Sequence, residues 1–368
     1  MSVAAVRDAA ESATPRVMLV DDSSVSRAVM SEWLAAESIE LVAIARNGAE
    51  AVRLAEAHRP GIILLDIEMP GASGVEILPR LLANDPHVRV VMVSTLSKRN
   101  ARITIEALRA GAVDALAKPS NGWAGGATAA FRDELLRKVR SLAETGDDVE
   151  ALSVQPRVER SGDTDEADCG QPAGAPLIIG IGASTGGPRA LFTLLGALED
   201  VPLPPVLITQ HMPPLFTSSL AAHLEKAAGR PVAEALDGEV LRAGHIYIAP
   251  GDRHLLAKRR GGSAIARLSD APPENFCRPS VDPLFQSLAE GWGADALGIV
   301  LTGMGTDGQT GARALIDAEG RVWAQDAATS VVWGMPGAVA RAGFAEKILS
   351  IEGIAAELSA MLSKGPSW

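Results

Sequence analysis

The sequence predicts an α/β protein made of two doubly wound parallel-sheet domains. Short apolar runs alternate with helical patterns through both halves of the chain, and this alternation is typical of βα units around a parallel sheet. A chain of 368 residues with 47% hydrophobic content has enough apolar side chains for two cores. Residues 144–168 hold nine acidic side chains against two basic ones, which indicates a solvated linker between the domains.

The first domain is assigned to residues 16–140 and the linker to residues 141–175. Five apolar runs predict the strands of the first sheet: VMLV, LVAIA, IILLDI, VRVVMV and VDALA. The second domain is assigned to residues 176–366, where LIIGIGAS, PVLITQH, ALGIVLTGMG and RVWAQD predict strands. The runs HIYIAP, HLLAKR and SAIARLS are separated by turns that contain glycine, which favours a Rossmann-like α/β domain with an added β-hairpin or meander.

The composition excludes several classes of protein. A formal net charge of −11 opposes binding to nucleic acid, because that affinity comes from clustered Lys and Arg. Cys169 and Cys277 lie in different kinds of segment, so they build neither a disulfide framework nor a thiolate metal site, which favours a reducing compartment. Neither a signal peptide nor a run of about 20 apolar residues is found. We therefore expect a cytoplasmic protein without membrane insertion.

Five polar residues lie at the predicted strand ends of the first domain. Asp21 and Asp22 follow VMLV, and Asp66 follows IILL. Because ligands gather beyond the carboxyl ends of parallel strands, these carboxylates are expected to converge and to suit a hard cation such as Mg²⁺. Ser94 and Lys118 end two further strands, where a hydroxyl and an ammonium could hold a phosphoryl group that one carboxylate accepts. A single Asp could be a turn or helix cap, but five such residues at successive strand ends favour a site.

The segments VMLVDDS, IILLDIEMPGASGVE, VVMVSTL and AVDALAKPS resemble the receiver domain of two-component response regulators. The resemblance covers about residues 16–135 and implies a flavodoxin-like fold with Asp66 as the phospho-acceptor. The resemblance implies that Mg²⁺ is bound by Asp21, Asp22, Asp66 and the Glu68 carbonyl. It implies that Ser94 and Lys118 bind the phosphoryl group. It also implies a cis peptide before Pro119. Receivers commonly carry Phe or Tyr at the position of Ala115, so the rotating-aromatic part of their switch is in question here.

Ser184 is the candidate nucleophile of the second domain. It lies in the segment GASTG, a G-x-S-x-G that follows an apolar run and precedes the helical pattern RALFTLLGAL. Small residues around a serine permit the tight strand-to-helix turn that exposes its Oγ, and a helix that starts there points N–H groups at a developing oxyanion. The longer segment GIGASTG nearly fits a dinucleotide-binding G-x-G-x-x-G, but its spacing is one residue too long. The next strand also ends in Gln210-His211 instead of an acid for a ribose.

A serine nucleophile needs a base and an acid that orients it. Among the histidines of the second domain, His211 is preferred because it terminates the strand after the Ser184 turn. His223 lies within a helical pattern, and His245 and His254 lie in the hairpin region, so they are weaker candidates.

Two aspartates compete for the role of the acid. Asp307 lies in the glycine-rich segment GMGTDG after the strand ALGIVLT, which suggests backbone approach to a ligand, although Asp also favours an N-cap. Asp282 precedes Pro283 and a helical pattern, an arrangement that capping explains. We therefore favour Asp307 over Asp282.

The order Ser, His, Asp and the segments GIGASTGGP, ITQHMP, CRPSVDPLF and LTGMGTDG resemble the chemotaxis protein-glutamate methylesterases, the CheB family. The resemblance covers nearly the whole chain. It implies hydrolysis of γ-glutamyl methyl esters on methyl-accepting chemotaxis receptors, deamidation of certain receptor glutamines, and phosphorylation by a chemotaxis histidine kinase. It also implies the Ser184, His211 and Asp307 triad with backbone N–H groups near Thr185 and Met304 as oxyanion donors.

The mechanism expected is acyl transfer through Ser184 without a cofactor, with Mg²⁺ needed only for phosphorylation of the receiver. The alternative from another class is a non-catalytic response regulator whose second domain binds a nucleotide or a partner. A probe that reacts with active-site serines separates the two, because a binding module should not be labelled.

Overall fold

The protein is described by a computed structural model covering residues 14–119, 122–123, 126–144 and 175–363. The chain divides into two compact units between residues 145 and 146. Each unit is built on a parallel sheet with helices, so the predicted fold class is confirmed. Cys169 and most of the predicted linker lie outside the described residues. None of the helices in the described ranges is both long and apolar enough to cross a membrane.

The first unit is a five-stranded parallel sheet in the order β2-β1-β3-β4-β5, the doubly wound order of flavodoxin-like folds. Its elements in chain order are β1 Arg16–Val20, α1 Ser24–Ala36, β2 Glu40–Ala45, α2 Gly48–His58, β3 Ile62–Asp66, α3 Gly74–Asn84, β4 Arg89–Thr95, α4 Lys98–Ala110, β5 Asp114–Lys118 and α5 Gly126–Glu144. All five residues of β3 are buried, as expected for a central strand covered by helices on both faces.

The boundary predicted at residue 140 lies inside α5. The helix continues to Glu144 because Val139 and Leu142 are both buried on the apolar face of the first unit. The shift to acidic composition begins only at Glu144, so residues 141–143 belong to the last helix of the first unit and not to a linker.

The second unit is a seven-stranded parallel sheet with a separate antiparallel pair. Its elements are β6 Ile178–Ala183, α6 Gly187–Gly196, β7 Val206–Gln210, α7 Phe216–Ala228, β8 Val232–Glu234, β9 Ile246–Ile248, β10 His254–Arg260, β11 Ser263–Ser269, α8 Val281–Trp292, β12 Ala296–Val300, α9 Gln309–Asp317, β13 Arg321–Gln325, α10 Met335–Arg341, β14 Lys347–Leu349 and α11 Ile351–Leu362. The sheet order is β14-β13-β12-β6-β7-β9-β8.

The predicted hairpin is present, but it is smaller than the three apolar runs suggested. Strands β10 and β11 pair antiparallel from His254–Ser269 to Arg260–Ser263. The run HIYIAP instead supplies β9, which pairs parallel with β7 and β8 in the main sheet. All three residues of β9 are buried, and a strand of that length is too short for its periodicity to distinguish a parallel core strand from a hairpin strand.

The strand order places the carboxyl ends of three strands together at the centre of the second sheet. Strand β6 pairs with β7 on one side and with β12 on the other. The chain therefore reverses its direction of progress across the sheet beside β6, and ligands of open α/β sheets bind at such a switch point. The segments that follow these three strands carry Ser184, His211 and Asp307.

Candidate functional site

Ser184 occupies a tight turn between β6 and α6. Its backbone N–H donates to Thr302 O at 3.0 Å, and Gly187 N–H donates to Ser184 O at 2.8 Å. Gly186 has a φ of +79°, which side chains with a Cβ rarely adopt. The turn leaves Ser184 half-buried at the carboxyl edge of the sheet, as the G-x-S-x-G pattern predicts.

His211 follows β7 and lies at the same edge. Its backbone N–H donates to Ala183 O at 3.0 Å, which places it next to the residue before Ser184. Its ring Nε2 lies 2.7 Å from Asp307 Oδ2. The structure therefore brings together the base and the acid favoured from the sequence.

Asp307 is buried and is surrounded by hydrogen-bond donors. Its Oδ2 accepts from Val281 N and contacts His211 Nε2, while its Oδ1 accepts from Ser280 Oγ, Asn275 Nδ2, Asp282 N and Gly308 N. Two of these donors are the first backbone N–H groups of α8, so the carboxylate lies at the positive end of that helix dipole. Asp307 is not the N-cap of α9, because Gly308 holds that position.

Asp282 caps a helix, as the sequence suggested, but the helix is not its own. It lies in the first turn of α8, and its Oδ1 accepts from Gly311 N in the first turn of α9 at 2.6 Å. Its Oδ2 accepts from Asn275 Nδ2 at 2.8 Å, and the same amide donates to Asp307. The two carboxylates are thus exchanged: Asp307, which precedes α9, caps α8, and Asp282 on α8 caps α9.

Burial and hydrogen bonding divide the charge between these acids. Burial works to raise the pKa of Asp307, but the hydrogen bond and charge of His211 outweigh it and lower that pKa to about 2. Burial, with the charge of Asp307 nearby, raises the pKa of Asp282 to about 6. Asp307 is therefore the carboxylate that stays ionised beside the imidazole, which suits it to stabilise an imidazolium.

His211 is arranged to hold a proton. Burial works to lower its pKa, but the hydrogen bond to Asp307 and the contact with Cys277 raise that pKa overall. The imidazolium is the state that a general base reaches after it takes a proton from a serine.

The orientation of the ring determines which nitrogen can act as the base. Nε2 is engaged by Asp307, so Nδ1 is the nitrogen left to accept a proton, and Cys277 Sγ lies 3.5 Å from it. Within the described ranges, no hydrogen bond joins the Ser184 hydroxyl to the His211 ring. Catalytic hydrogen bonds of this kind often tighten only when substrate is bound.

The loop after β12 approaches Ser184 closely. A Cβ at Gly303 would lie 2.7 Å from Ser184 Cβ and 2.4 Å from Met335 Sδ, so only glycine fits there. In the part of the chain that the structure describes, no hydrogen bond engages the backbone N–H of Met304, the next residue. Thr185, the other predicted oxyanion donor, is buried directly after Ser184.

The remaining histidines have other surroundings. His223 lies within α7 with Nδ1 2.8 Å from Ser219 O, and His245 lies before β9 with Nδ1 3.1 Å from Ala243 O. His254 is buried and accepts from Ser280 N at 3.1 Å. It thereby supports the residue whose hydroxyl reaches Asp307.

Four residues of this site were not singled out from the sequence. Three of them, Asn275, Cys277 and Ser280, lie on the segment before α8, and Gln210 ends β7 with its Nε2 2.9 Å from Ser184 O. The first three come from an irregular segment that carries no periodic pattern. Only the resemblance of CRPSVDPLF to the family pointed to that segment.

The predicted acidic cluster of the first unit is present. Ligand oxygens of Asp21, Asp22 and Asp66 lie within 4.8 Å of one another. Lys118 Nζ lies 2.8 Å from Asp21 Oδ2 and 2.7 Å from Asp66 Oδ2. The contact to Asp21 is an ion pair without a well-directed hydrogen bond, so this buried oxygen retains acceptor capacity. Three clustered carboxylates, one of them with such an oxygen, fit a hard divalent cation.

The other predicted receiver residues lie around this cluster. Glu68 N–H donates to Asp66 Oδ1 at 3.4 Å. Ser94 is fully buried, and its hydroxyl donates to Thr95 O at 3.1 Å. The peptide bond before Pro119 is trans, so the cis peptide expected from the resemblance is wrong. The trans isomer is the one that X-Pro bonds generally prefer.

Asp66→Asn is expected to stabilise the first unit at neutral pH in buffer without Mg²⁺. Burial raises the pKa of Asp66 to about 6, partly offset by Lys118. The folded state therefore binds the proton more tightly than the unfolded state, so this contribution to stability is present below about pH 4 and is lost as the pH rises through about 6. The amide cannot ionise, and the gain at pH 7 should be about 1 to 3 kcal/mol.

Calorimetric unfolding of the full chain between pH 4 and 7 measures this effect. The control is Asp22→Asn, which removes an exposed carboxylate of the same cluster. A first unit that is less stable in Asp66→Asn at pH 7 would contradict the expectation.

Known protein families match both units of the chain. A model of the CheB methylesterase family matches residues 179–358, and a model of the response regulator receiver domain matches residues 17–123. A protein-glutamate methylesterase/protein-glutamine glutaminase of Rhodopseudomonas palustris is 43% identical over 381 aligned residues, which cover 99% of each chain. One from Rhodospirillum rubrum is 44% identical, with 93% of each chain covered. The crystal structure of the Thermotoga maritima CheB methylesterase catalytic domain is 39% identical, with a TM-score of 0.49 and coverage of 51% of this chain and 98% of that one.

The two family models and the two relatives define a response regulator whose receiver domain precedes a methylesterase domain. The chain belongs to the CheB family of protein-glutamate methylesterases/protein-glutamine glutaminases. The family expected from the sequence is thereby confirmed.

Proposed function

We propose that the second domain hydrolyses γ-glutamyl methyl esters on methyl-accepting chemotaxis receptors and deamidates certain receptor glutamines. The relatives that cover nearly the whole chain carry both activities in their names. The observation that carries the proposal is the contact of 2.7 Å between His211 and Asp307 beside the Ser184 turn. A serine, a histidine and an ionised carboxylate at three adjacent strand ends suit acyl transfer.

In the proposed reaction, His211 Nδ1 takes the hydroxyl proton of Ser184 while Ser184 Oγ attacks the ester carbonyl. Asp307 holds the proton on Nε2 and stabilises the imidazolium. The N–H groups of Thr185 and Met304 receive the oxyanion. The imidazolium then gives its proton to the departing methoxide, and methanol leaves. Water, deprotonated by His211, attacks the acyl carbonyl, and His211 returns that proton to Ser184 Oγ as the glutamate side chain is released.

Deamidation follows the same steps on a glutamine side chain. The leaving group is then ammonia in place of methanol, and the acyl-enzyme and its hydrolysis are unchanged. One site therefore accounts for both activities, and no step needs a cofactor.

Two measurements test the proposal together. A fluorophosphonate should label Ser184 covalently, and the purified chain should release methanol from methylated chemotaxis receptor. A non-catalytic output domain that binds a nucleotide or a partner, the alternative from the sequence, would do neither. Labelling without methanol release from the receptor would indicate an esterase of small substrates.

For the first domain we propose phosphorylation at Asp66 by a chemotaxis histidine kinase. Asp21, Asp22, Asp66 and the Glu68 carbonyl would hold Mg²⁺, which shields the charge between the carboxylate and the incoming phosphoryl group. Lys118, already 2.7 Å from Asp66, would contact the phosphoryl oxygens, and Ser94 would turn its hydroxyl from Thr95 O towards them. The lack of an aromatic ring at Ala115 leaves this movement without the usual aromatic partner.

Phosphorylation of Asp66 is expected to increase the esterase activity. A phosphoryl group adds negative charge and strong acceptors at the edge of the first sheet, and we propose that the resting receiver restrains the second domain until this occurs. Residues 176–368 alone and the full chain with a small phosphoryl donor and Mg²⁺ should both hydrolyse receptor ester faster than the resting chain. Asp66→Ala should abolish only the response to the donor. An isolated second domain no faster than the resting chain would exclude inhibition by the receiver.

A further inference from the structure

A strained turn lies beside the candidate active site. Glu274 and Cys277 exchange backbone hydrogen bonds of 3.1 and 2.8 Å, so Asn275 and Phe276 form a two-residue turn. Their φ angles are +51° and +62°. Asn tolerates the left-handed region, whereas a bulky side chain there is a true outlier. Glycine is the residue that this second turn position favours.

The side chain at the strained position is also exposed. Phe276 is 93% exposed, more than any other large hydrophobic residue in the described ranges. An exposed aromatic ring contributes little to folding, and the left-handed backbone makes phenylalanine unfavourable there. Neither local conformation nor packing within the chain therefore explains this residue.

The neighbours of Phe276 on both sides contact the proposed catalytic residues. Asn275 donates to Asp307 at 3.0 Å and to Asp282 at 2.8 Å. Cys277 Sγ lies 3.5 Å from His211 Nδ1. The backbone of Phe276 is thus held beside the site, one residue away from each contact.

The base of the turn is held firmly. Arg278 donates to Asp252 Oδ1 from Nε at 2.9 Å and from Nη2 at 2.6 Å, and its Nη1 donates to the carbonyls of Asp270 and Ala271. With Asn275 bound to two carboxylates, the turn is anchored at both ends. An aromatic side chain presented on a rigid backbone loses little entropy when a partner covers it.

We propose that Phe276 is a specificity-determining residue that packs against apolar side chains flanking the esterified glutamate of the protein substrate. This inference rests on the proposed function. In this proposal, the chain of a substrate whose glutamate reaches Ser184 passes Phe276, because the residues on both sides of Phe276 contact Asp307 and His211. Aromatic residues with a rigid backbone are the usual anchors of protein interfaces, and backbone strain persists where function maintains it.

The test uses two synthetic peptides that contain one glutamate γ-methyl ester, flanked by leucines in one peptide and by serines in the other. The variants are Phe276→Gly, which relieves the strain and removes the ring, and Phe276→Leu, which keeps an apolar side chain. Leu236→Ala is the matched control, since Leu236 is 66% exposed and lies after β8. The full chain, with methanol release as the readout, is used throughout.

The parent chain should prefer the leucine-flanked peptide through a lower KM. Phe276→Gly should raise KM for that peptide about tenfold, an effect typical of losing an aromatic anchor, with a much smaller change for the serine-flanked peptide. The unfolding temperature of Phe276→Gly should be higher than that of the parent chain, because glycine suits the left-handed turn. Phe276→Leu should restore part of the preference, and Leu236→Ala should leave it unchanged.

Equal activity of the parent chain on both peptides, or an equal loss on both in Phe276→Gly, would overturn the proposal. Failure of the proposed function has a different signature, because the parent chain would then either resist fluorophosphonate labelling at Ser184 or release no methanol from methylated receptor and from either peptide.

Discussion

Replacing Ser184 or His211 with alanine should lower kcat by roughly 10⁴ to 10⁶ while the second domain stays folded. Ser184 is half-buried at a strand end, and no hydrogen bond of its hydroxyl supports the fold in the described ranges. The turn itself is held by two backbone hydrogen bonds, one from Ser184 N–H to Thr302 O and one from Gly187 N–H to Ser184 O, which alanine preserves. The His211 ring mainly contacts Asp307 and Cys277.

The double variant Ser184→Ala with His211→Ala should be little slower than either single variant. The two residues act on the same proton, so removing one makes the other ineffective. Single-turnover methanol release and a thermal unfolding curve for each variant provide the measurement, with His245→Ala as a control at a half-buried histidine before β9. Losses that multiply across the double variant would show that the residues do not act as a unit.

Asp307→Asn is expected to reduce kcat by about 10³ to 10⁴, because an amide facing Nε2 favours the tautomer with the proton on Nδ1. Nδ1 is the nitrogen that must accept the Ser184 proton. The structure adds a second effect. Both oxygens of Asp307 accept from donors, including two N–H groups of α8, so an NH₂ group in either orientation meets a donor. A loss of stability of about 1 to 3 kcal/mol should accompany the loss of activity.

Asp282→Asn is the matched comparison. Its carboxyl has a pKa raised to about 6 by burial, so a neutral side chain is tolerated better, at a cost of about 1 kcal/mol. Activity per folded molecule, with the folded fraction taken from unfolding curves at the assay temperature, separates catalysis from stability. A larger loss of kcat in Asp282→Asn than in Asp307→Asn would mean that the acid is wrongly assigned.

The sequence predicted the site residues that lie at the ends of strands, because strands are recognisable from their apolar runs. Ser184, His211 and Asp307 each follow an apolar run, and the βα alternation implies that such ends share one edge of the sheet. The same holds for Asp21, Asp66 and Lys118 in the first unit. These positions follow from the pattern alone, whichever helices cover the sheet.

The sequence was less informative where a contact joins distant segments. The capping rules are local, so they identified Asp282 and Asp307 as caps but could not show that each caps the helix of the other. Asn275 and Cys277 reach the site from an irregular segment whose path depends on the packing of the turn. Nothing in a period of 2 or 3.6 residues specifies such a path.

If Asp307 acts as proposed, the exchange of carboxylates between α8 and α9 makes catalysis depend on the folding of both helices together. Asp307 is held in place by the N-terminus of α8, and Asp282 ties α8 to the N-terminus of α9. Local opening of either helix would withdraw the group that orients His211, so a partly folded domain has no working base even if Ser184 is in position. We therefore expect that transplanting the three proposed catalytic side chains to another scaffold would fail unless the helix pair were transplanted with them.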